Sequence, residues 1–320
     1  MDFKFTDTQA PDAPSPDGAE EIRVVFSGSY EDTPDCREIR IEEGIEEIAE
    51  NAFRGFRYLE RVYLPKSLKQ ISACAFAGCE NLSHVEFNHG LEEILDEAFS
   101  SCPQLSSVII PDTVKRIGEG AFEGCASLSR LKLSESVLMI GASAFAFCFN
   151  LHHVTVPDSC ILVEFNAFAS CFSLESVKLS ANMGLIDEST FEGCRSLADV
   201  DLPARLTRIG RRAFKGCTSL KSLILPHALR EIGLDAFAEC SSLARIAIPR
   251  DLREMEDEDI FAACDSLTDI SFGGSREAWE LLTHGKSVTV EHSDMTVTAP
   301  RVTFLDIKDA KPDEIQMPDT

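Results

Sequence analysis

Leu105-Ser106-Ser107-Val108-Ile109-Ile110-Pro111-Asp112-Thr113-Val114-Lys115-Arg116-Ile117-Gly118-Glu119-Gly120-Ala121-Phe122-Glu123-Gly124-Cys125 is one unit of a repeat that decides the fold. Its Phe122 belongs to the series Phe53, Phe76, Phe99, Phe122, Phe145, Phe168, Phe191, Phe214 and Phe237, spaced by 23 residues, with Phe261 following after one slip to 24. Around each Phe most units carry Ala one residue before, Cys three after, Leu six after, and aliphatic residues nine and eleven after. A fixed period of about 20 to 29 residues marks a solenoid, in which each unit adds one coil and buries its apolar face only by stacking on its neighbours.

Within a unit, Leu59-Glu60-Arg61-Val62-Tyr63-Leu64 alternates apolar and polar residues among β-formers, which predicts a half-buried strand. Pro65, Pro111, Pro157, Pro203, Pro226 and Pro249 close this strand in their units, because proline cannot donate to a ladder. A second short extended piece is expected through Leu68 and Ile71. The stretch from Ala73 to Cys79 is too short for an independent helix, and Gly78 suits a single turn of α or 3-10 geometry. Stepping back from Phe53 gives Tyr30, with Cys36, Ile39, Ile41, Ile45 and Ile48 in register, so eleven rows are expected.

The ends differ from the repeat. Residues 1–20 hold Pro11, Pro14 and Pro16 among small and acidic residues and read as a disordered tail. Residues 21–35, with the strand-like Ile22-Arg23-Val24-Val25-Phe26, read as an N-terminal cap; 36–272 are the repeats, 273–308 a C-terminal cap, and 309–320 a second tail. Caps are required because an open solenoid end exposes its core.

The formal net charge of −24 argues against nucleic acid and anionic membrane as partners, since phosphate binding relies on Lys and Arg. No apolar run is long enough to insert in a membrane, and the start Met1-Asp2-Phe3-Lys4-Phe5 lacks the basic and apolar regions of a secretory signal, so a cytoplasmic location is the expectation from the residues. Of the 12 cysteines, nine (Cys79, Cys102, Cys125, Cys148, Cys171, Cys194, Cys217, Cys240 and Cys264) share one repeat position. Equivalent residues on adjacent coils sit about 4.8 Å apart with parallel side chains, which disfavours bridging. The ladder therefore reads as buried thiols acting as small hydrophobes, and with no C-x-x-C pair neither zinc nor another cofactor is implied.

The unit from Leu105 to Cys125 resembles the BspA-type leucine-rich repeat, and the resemblance runs from about Cys36 to Phe272. It extends into the cap, where Phe272-Gly273-Gly274-Ser275-Arg276-Glu277-Ala278-Trp279 is similar to the Gly-Gly-Thr-x-x-x-Trp ending of such proteins. Ser275 would cap a short helix whose Trp279 and Leu282 cover the last coil, followed by strands at Ser287–Val290 and Arg301–Ile307. The fold expected is a leucine-rich-repeat solenoid of α/β type, mostly β, a right-handed superhelix with short helical or 3-10 turns. The resemblance also implies a binding role, adhesion-like and at a cell surface or secreted.

On such a solenoid the strand residues that leave the core form two columns on the concave face. They hold six basic and five acidic residues, so this face is spared the acidity of the chain. Its middle is basic, with Arg130, Lys132, His153 and Lys178 beside Asp199 and Asp201. This pattern suits an acidic peptide or glycan patch; the bland alternative is opposite charges pairing across strands. A second candidate breaks the repeat: Phe149 and Phe172 stand where other coils have small or polar residues, Phe147 replaces the usual Gly or Ser, and Phe165 occupies a place where Glu and Asp are common. Exposed, these four would form an apolar edge for a protein partner or weak self-association; the alternative is burial by reshaped turns.

Catalysis finds little support. His84 and His153 lie three strands apart, roughly 14 Å, too far to share a metal ion. Asp199 and Asp201, about 7 Å apart, have a separation that inverting glycosidases use, but on an open sheet that does not exclude water. The reading is a non-enzymatic protein-protein interaction module. Its rivals are an architectural or self-associating scaffold and, behind it, a carbohydrate-binding face.

Overall fold

In the computed structural model the described residues are 22–24, 36–256, 258–285, 288–291 and 297–305. The tails expected at 1–20 and 309–320, Tyr30 and the rest of the N-terminal cap from 25 to 35 lie outside them. Each coil but the last contributes one longer strand and one two-residue strand. The longer strands begin at Glu38–Ile41, recur as Arg61–Tyr63, His84–Glu86 and Ser107–Ile109, and end at Asp269–Phe272, eleven in all as the register required. Ile22–Val24 pairs parallel with Ile39–Ile41 at one end, and Arg301–Phe304 pairs parallel with Asp269–Phe272 at the other. The short strands, such as Gln70–Ile71 and Arg116–Ile117, build the second sheet, where Leu68 and Ile71 are fully buried.

Between the two sheets runs the phenylalanine ladder. Adjacent rings stack nearly parallel, from 5.1 Å between Phe53 and Phe76 to 6.0 Å between Phe237 and Phe261. An offset face-to-face arrangement at this separation satisfies the ring quadrupoles while excluding water from the rings. Leu59, Leu82, Leu105, Leu128 and Leu151 line the next column and are fully buried.

The segment carrying each Phe is a run of tight turns closed by bonds three residues back, the short 3-10 type of turn expected there. Its backbone alternates partners. Phe76 N–H donates to the Ala98 carbonyl and Gly78 N–H to Ser100 on the next coil, while Ala77 and Cys79 donate three residues back to Cys74 and Phe76. The four donors from Phe76 to Cys79 are thereby paired without a regular helix. The geometry needs a left-handed residue two before and two after each Phe, as at Cys74 (φ 54°) and Gly78 (φ 73°). The slip to 24 is absorbed by converting one such turn into the 3-10 helix Glu258–Phe261.

The cysteine ladder does more than fill space. The ladder thiols form no disulfide, and Cys79 Sγ donates to the carbonyl of Phe53 at 3.2 Å, Cys102 to Phe76 at 3.2 Å and Cys125 to Phe99 at 3.3 Å, a pattern kept up to Cys264 and Phe237 at 3.1 Å. Each ladder thiol thus ties its coil to the preceding one through the second lone pair of a Phe carbonyl.

At the C-terminal end Ser275 caps the helix Arg276–Leu282, its hydroxyl accepting from Ala278 N at 3.3 Å. Trp279 and Leu282 are buried, with Trp279 against Phe272 at 5.1 Å. The strand at 301 forms over Arg301–Phe304, whereas Val290 pairs antiparallel, as Val290–Glu291 with Val297–Thr298; Ser287 lies outside the described residues.

Candidate functional site

The longer strands place their outward residues in straight rows. His153, Ser176 and Asp199 are successive register partners, as are Thr155, Lys178 and Asp201. Arg130 and Lys132 stand beside Ser107 and Ile109 on the neighbouring block. Arg130, Lys132, His153, Lys178, Asp199 and Asp201 are all exposed. The hydrogen-bonded ladder is interrupted between the Arg130–Lys132 and His153–Thr155 strands, so the basic group spans two blocks of the sheet.

The pairing expected across this face occurs at its ends and not in its middle. Arg61 bonds Glu38, Arg301 reaches Asp269 at 2.6 Å, and the Arg40 guanidinium lies 4.0 Å over the Tyr63 ring. The Thr268 hydroxyl and then Arg301 hold the Asp269 carboxyl below its ordinary range. In the middle, Arg130, Lys132, Lys178, Asp199 and Asp201 make no ion pair within 4.0 Å among the described residues. Even Lys178 and Asp201, adjacent in register, keep their charges apart. His153 has its Nδ1 2.9 Å from the Ser176 hydroxyl. Ile109 (54 % exposed) and Ile224 (50 %) bound the run of Lys132, Thr155, Lys178 and Asp201 at either end, an apolar frame that the sequence analysis did not weigh.

The aromatic edge is exposed in large part. Phe147 and Phe149 meet edge to face at 6.3 Å, and Phe149 stacks on Phe172 at 4.9 Å. Phe172 is half-buried, capped on its other side by Arg195 at 4.6 Å. Phe165 makes no ring contact with this trio among the described residues, so three of the four expected aromatics form the cluster. Burial by reshaped turns is not what happens: Phe147 and Phe165 are 44 % and 47 % exposed, and Cys160 packs in the core without them.

The same two coils expose two further apolar side chains. Leu138 (47 % exposed) and Ile161 (66 % exposed) stand seven residues before Phe145 and Phe168, where other coils carry Glu46, Lys69, Glu92, Lys115 and Arg230. The signal that finds them is an aliphatic residue in a column that is elsewhere charged, Thr207 or Gly184, not an aromatic. Of nine exposed large apolar side chains among the described residues, five (Leu138, Phe147, Phe149, Ile161 and Phe165) fall on two adjacent coils. Such a concentration exceeds the scattered apolar exposure of an ordinary surface.

Burial pushes the ladder thiols upward, Cys125, Cys171 and Cys264 to about 12, so these sulfurs are protonated and poor nucleophiles at neutral pH. Among the described residues no group of three or more His, Cys, Asp or Glu side chains is placed to hold a metal ion, and no helix is long and apolar enough to cross a membrane.

Comparison with known proteins agrees with this architecture. Residues 23–107, 46–174 and 161–280 match the BspA type leucine rich repeat region, in six copies. A leucine rich cell surface protein from Faecalibacterium prausnitzii is 26 % identical over 77 % of this chain and 82 % of its own, with a TM-score of 0.44. The T. pallidum leucine rich repeat protein is 28 % identical over 65 % and 86 %, with a TM-score of 0.45. The pneumococcal vaccine antigen PcpA is 18 % identical over 89 % and 92 %, with a TM-score of 0.46. A comparison with curated proteins found no match.

Proposed function

Because the chain belongs to the BspA-type leucine-rich repeat family, we propose that it is a non-enzymatic protein-interaction module whose longer-strand face receives an acidic peptide segment of a partner. Arg130, Lys132, His153 and Lys178 are the donors, and Asp199 and Asp201 mark where the acidic segment must end. The observation that carries this reading is the contrast along one face: Arg61 pairs with Glu38 at one end and Arg301 with Asp269 at the other, while the charges in the middle make no ion pair among the described residues. Charges left without partners on a rigid sheet cost no rearrangement when a complementary segment docks, and the apolar frame of Ile109 and Ile224 adds area that excludes water around it.

The test uses a fluorescein-labelled oligoglutamate peptide, with fluorescence anisotropy against the full chain at two salt concentrations. Arg130→Glu with Lys178→Glu is expected to weaken binding by about tenfold or more, roughly 1.4 kcal/mol, while the melting curve stays unchanged. Equal affinity of the double variant refutes this site. Binding of a heparin fragment in preference to the peptide replaces the peptide by a polyanionic glycan.

A further inference from the structure

The apolar band on the turn edge has carboxylates on both sides. Inter-coil hydrogen bonds fix the columns: Phe122 N–H to Ala144, Phe145 N–H to Ala167, and Phe168 N–H to Thr190. Across these coils, the place three before each Phe runs Glu119, Ala142, Phe165, Glu188, and the place one after it runs Glu123, Ala146, Ala169, Glu192. The two coils that carry Phe147, Phe149 and Phe165 are thus bracketed by Glu119 and Glu123 on one side and by Glu188 and Glu192 on the other. None of these four glutamates makes an ion pair within 4.0 Å among the described residues; Arg212 and Lys215, further along, are engaged with Asp235 and Glu239. Burial, then the neighbouring Glu97 and Glu119, raise the carboxyl of Glu123, as expected of negative charge with no counter-charge nearby.

Phe147 adds a second, independent sign. It stands at a left-handed place that the coil geometry imposes, filled by Gly55, Gly78, Gly124, Gly193 and Gly216 in five other coils and by Ser101, Ser170, Glu239 and Ala263 in four. The departure is therefore the side chain: a large aromatic where sister coils carry Gly, Ser, Ala or Glu. It puts its ring into solvent instead of the core, as a surface with a role beyond packing would.

We propose that this band docks a basic amphipathic helical segment of a partner protein, whose apolar face covers Phe147, Phe149 and Phe165 and whose Lys or Arg residues at both ends reach the flanking glutamates. The span fits: three coil steps are roughly 14 Å, the rise of about nine helical residues, which leaves room for apolar anchors one turn apart between two basic ends. A second copy of this chain does not fit. Face to face, in either direction, the bracketing coils of one copy lie over those of the other and set glutamate against glutamate, in a chain of net charge −24.

The experiment measures anisotropy of a labelled helical peptide with leucines one turn apart between lysines set about nine residues apart, beside a scrambled peptide of the same composition. The scramble separates docking from general attraction to an acidic protein. The wild-type chain is expected to prefer the amphipathic peptide by about tenfold or more. Phe147→Gly with Phe149→Ser and Phe165→Ser should erase that preference. Glu119→Gln, Glu123→Gln, Glu188→Gln and Glu192→Gln together should weaken binding and flatten its salt dependence. Should the aromatic triple variant lose its folded circular dichroism, Phe147→Gly alone, which restores the residue used in other coils, is read in its place and should reduce the preference. Equal binding of the two peptides by the wild type, or an undiminished preference in the aromatic variant, overturns the proposal. So does a concentration-dependent dimer in light scattering that the aromatic variant abolishes, since the occupant would then be a second copy.

Discussion

Raising the pH tests the thiol ladder directly. In the folded chain burial pushes Cys125, Cys171 and Cys264 from the ordinary 9.0 to about 12, whereas in the unfolded chain they titrate near the ordinary value. Between these limits the folded state holds protons that the unfolded state has released. The stabilisation is therefore fully present below about pH 9 and is lost as pH rises toward the folded value. By pH 10 each thiol has forfeited about 1.4 kcal/mol relative to neutral pH, so the three together cost about 4 kcal/mol between pH 7 and pH 10. Against a typical domain stability of about 5 to 15 kcal/mol this is enough to bring unfolding within reach. The assay is urea unfolding followed by far-ultraviolet circular dichroism under reducing conditions from pH 7 to pH 10. Cys125→Ala, Cys171→Ala and Cys264→Ala are combined as the reference. The triple variant should be less stable at pH 7, having lost three bonds to Phe carbonyls, yet its stability should fall less steeply above pH 9. Tyrosine and lysine titration is common to both chains and cancels. Parallel loss in the two proteins would refute the burial argument.

Three substitutions probe the rest of the scheme by thermal or urea melts. Phe145→Ala, in the middle of the stacked rings, should cost about 3 to 5 kcal/mol, and a near-neutral result would contradict the ladder. Gly141→Ala would place a Cβ 2.7 Å from Glu119 N and from the Gly118 carbonyl carbon of the preceding coil; overpacking of this kind should cost about 1 to 3 kcal/mol, and an unchanged midpoint would mean that the coils are not in such close contact. Phe147→Gly should leave stability unchanged or raise it by up to about 1 to 2 kcal/mol, the penalty of a left-handed L-residue, whereas a loss of several kcal/mol would show that the ring is part of the core.

The strand columns were legible because a period of 23 repeats its own test ten times over: Val62, Val85 and Val108 are buried while Arg61, His84 and Ser107 look outward, as the alternation around each Pro-terminated strand required. The turns were legible only in part. Glycine two after the Phe announces a left-handed residue, but the equivalent need two before it is met by Asn51, Cys74, Glu97, Ser143, Arg212 and Asp235, residue types with no common signature. Nor does any local pattern show that Cys102 bonds a carbonyl 26 residues earlier; that contact exists only once one coil is stacked on another.

For the candidate surfaces, identity was visible and environment was not. The sequence places Arg130, Lys132, Lys178, Asp199 and Asp201 on one face, but whether neighbouring charges pair depends on side-chain reach across the sheet, and only the structure separates the paired ends from the unpaired middle. The aromatic edge is the converse case. In a repeat array each position is tried many times against nearly the same surroundings, so a departure that serves packing should appear as a better-buried residue. Phe147 departs in the opposite sense: it sets an aromatic at a left-handed place that sister coils fill with Gly, Ser, Ala or Glu and turns its ring toward water, and Phe149, Leu138 and Ile161 are likewise exposed where sister coils are polar, charged or small. Packing alone does not select several such departures on two adjacent coils, and the proposed partner surface would require them.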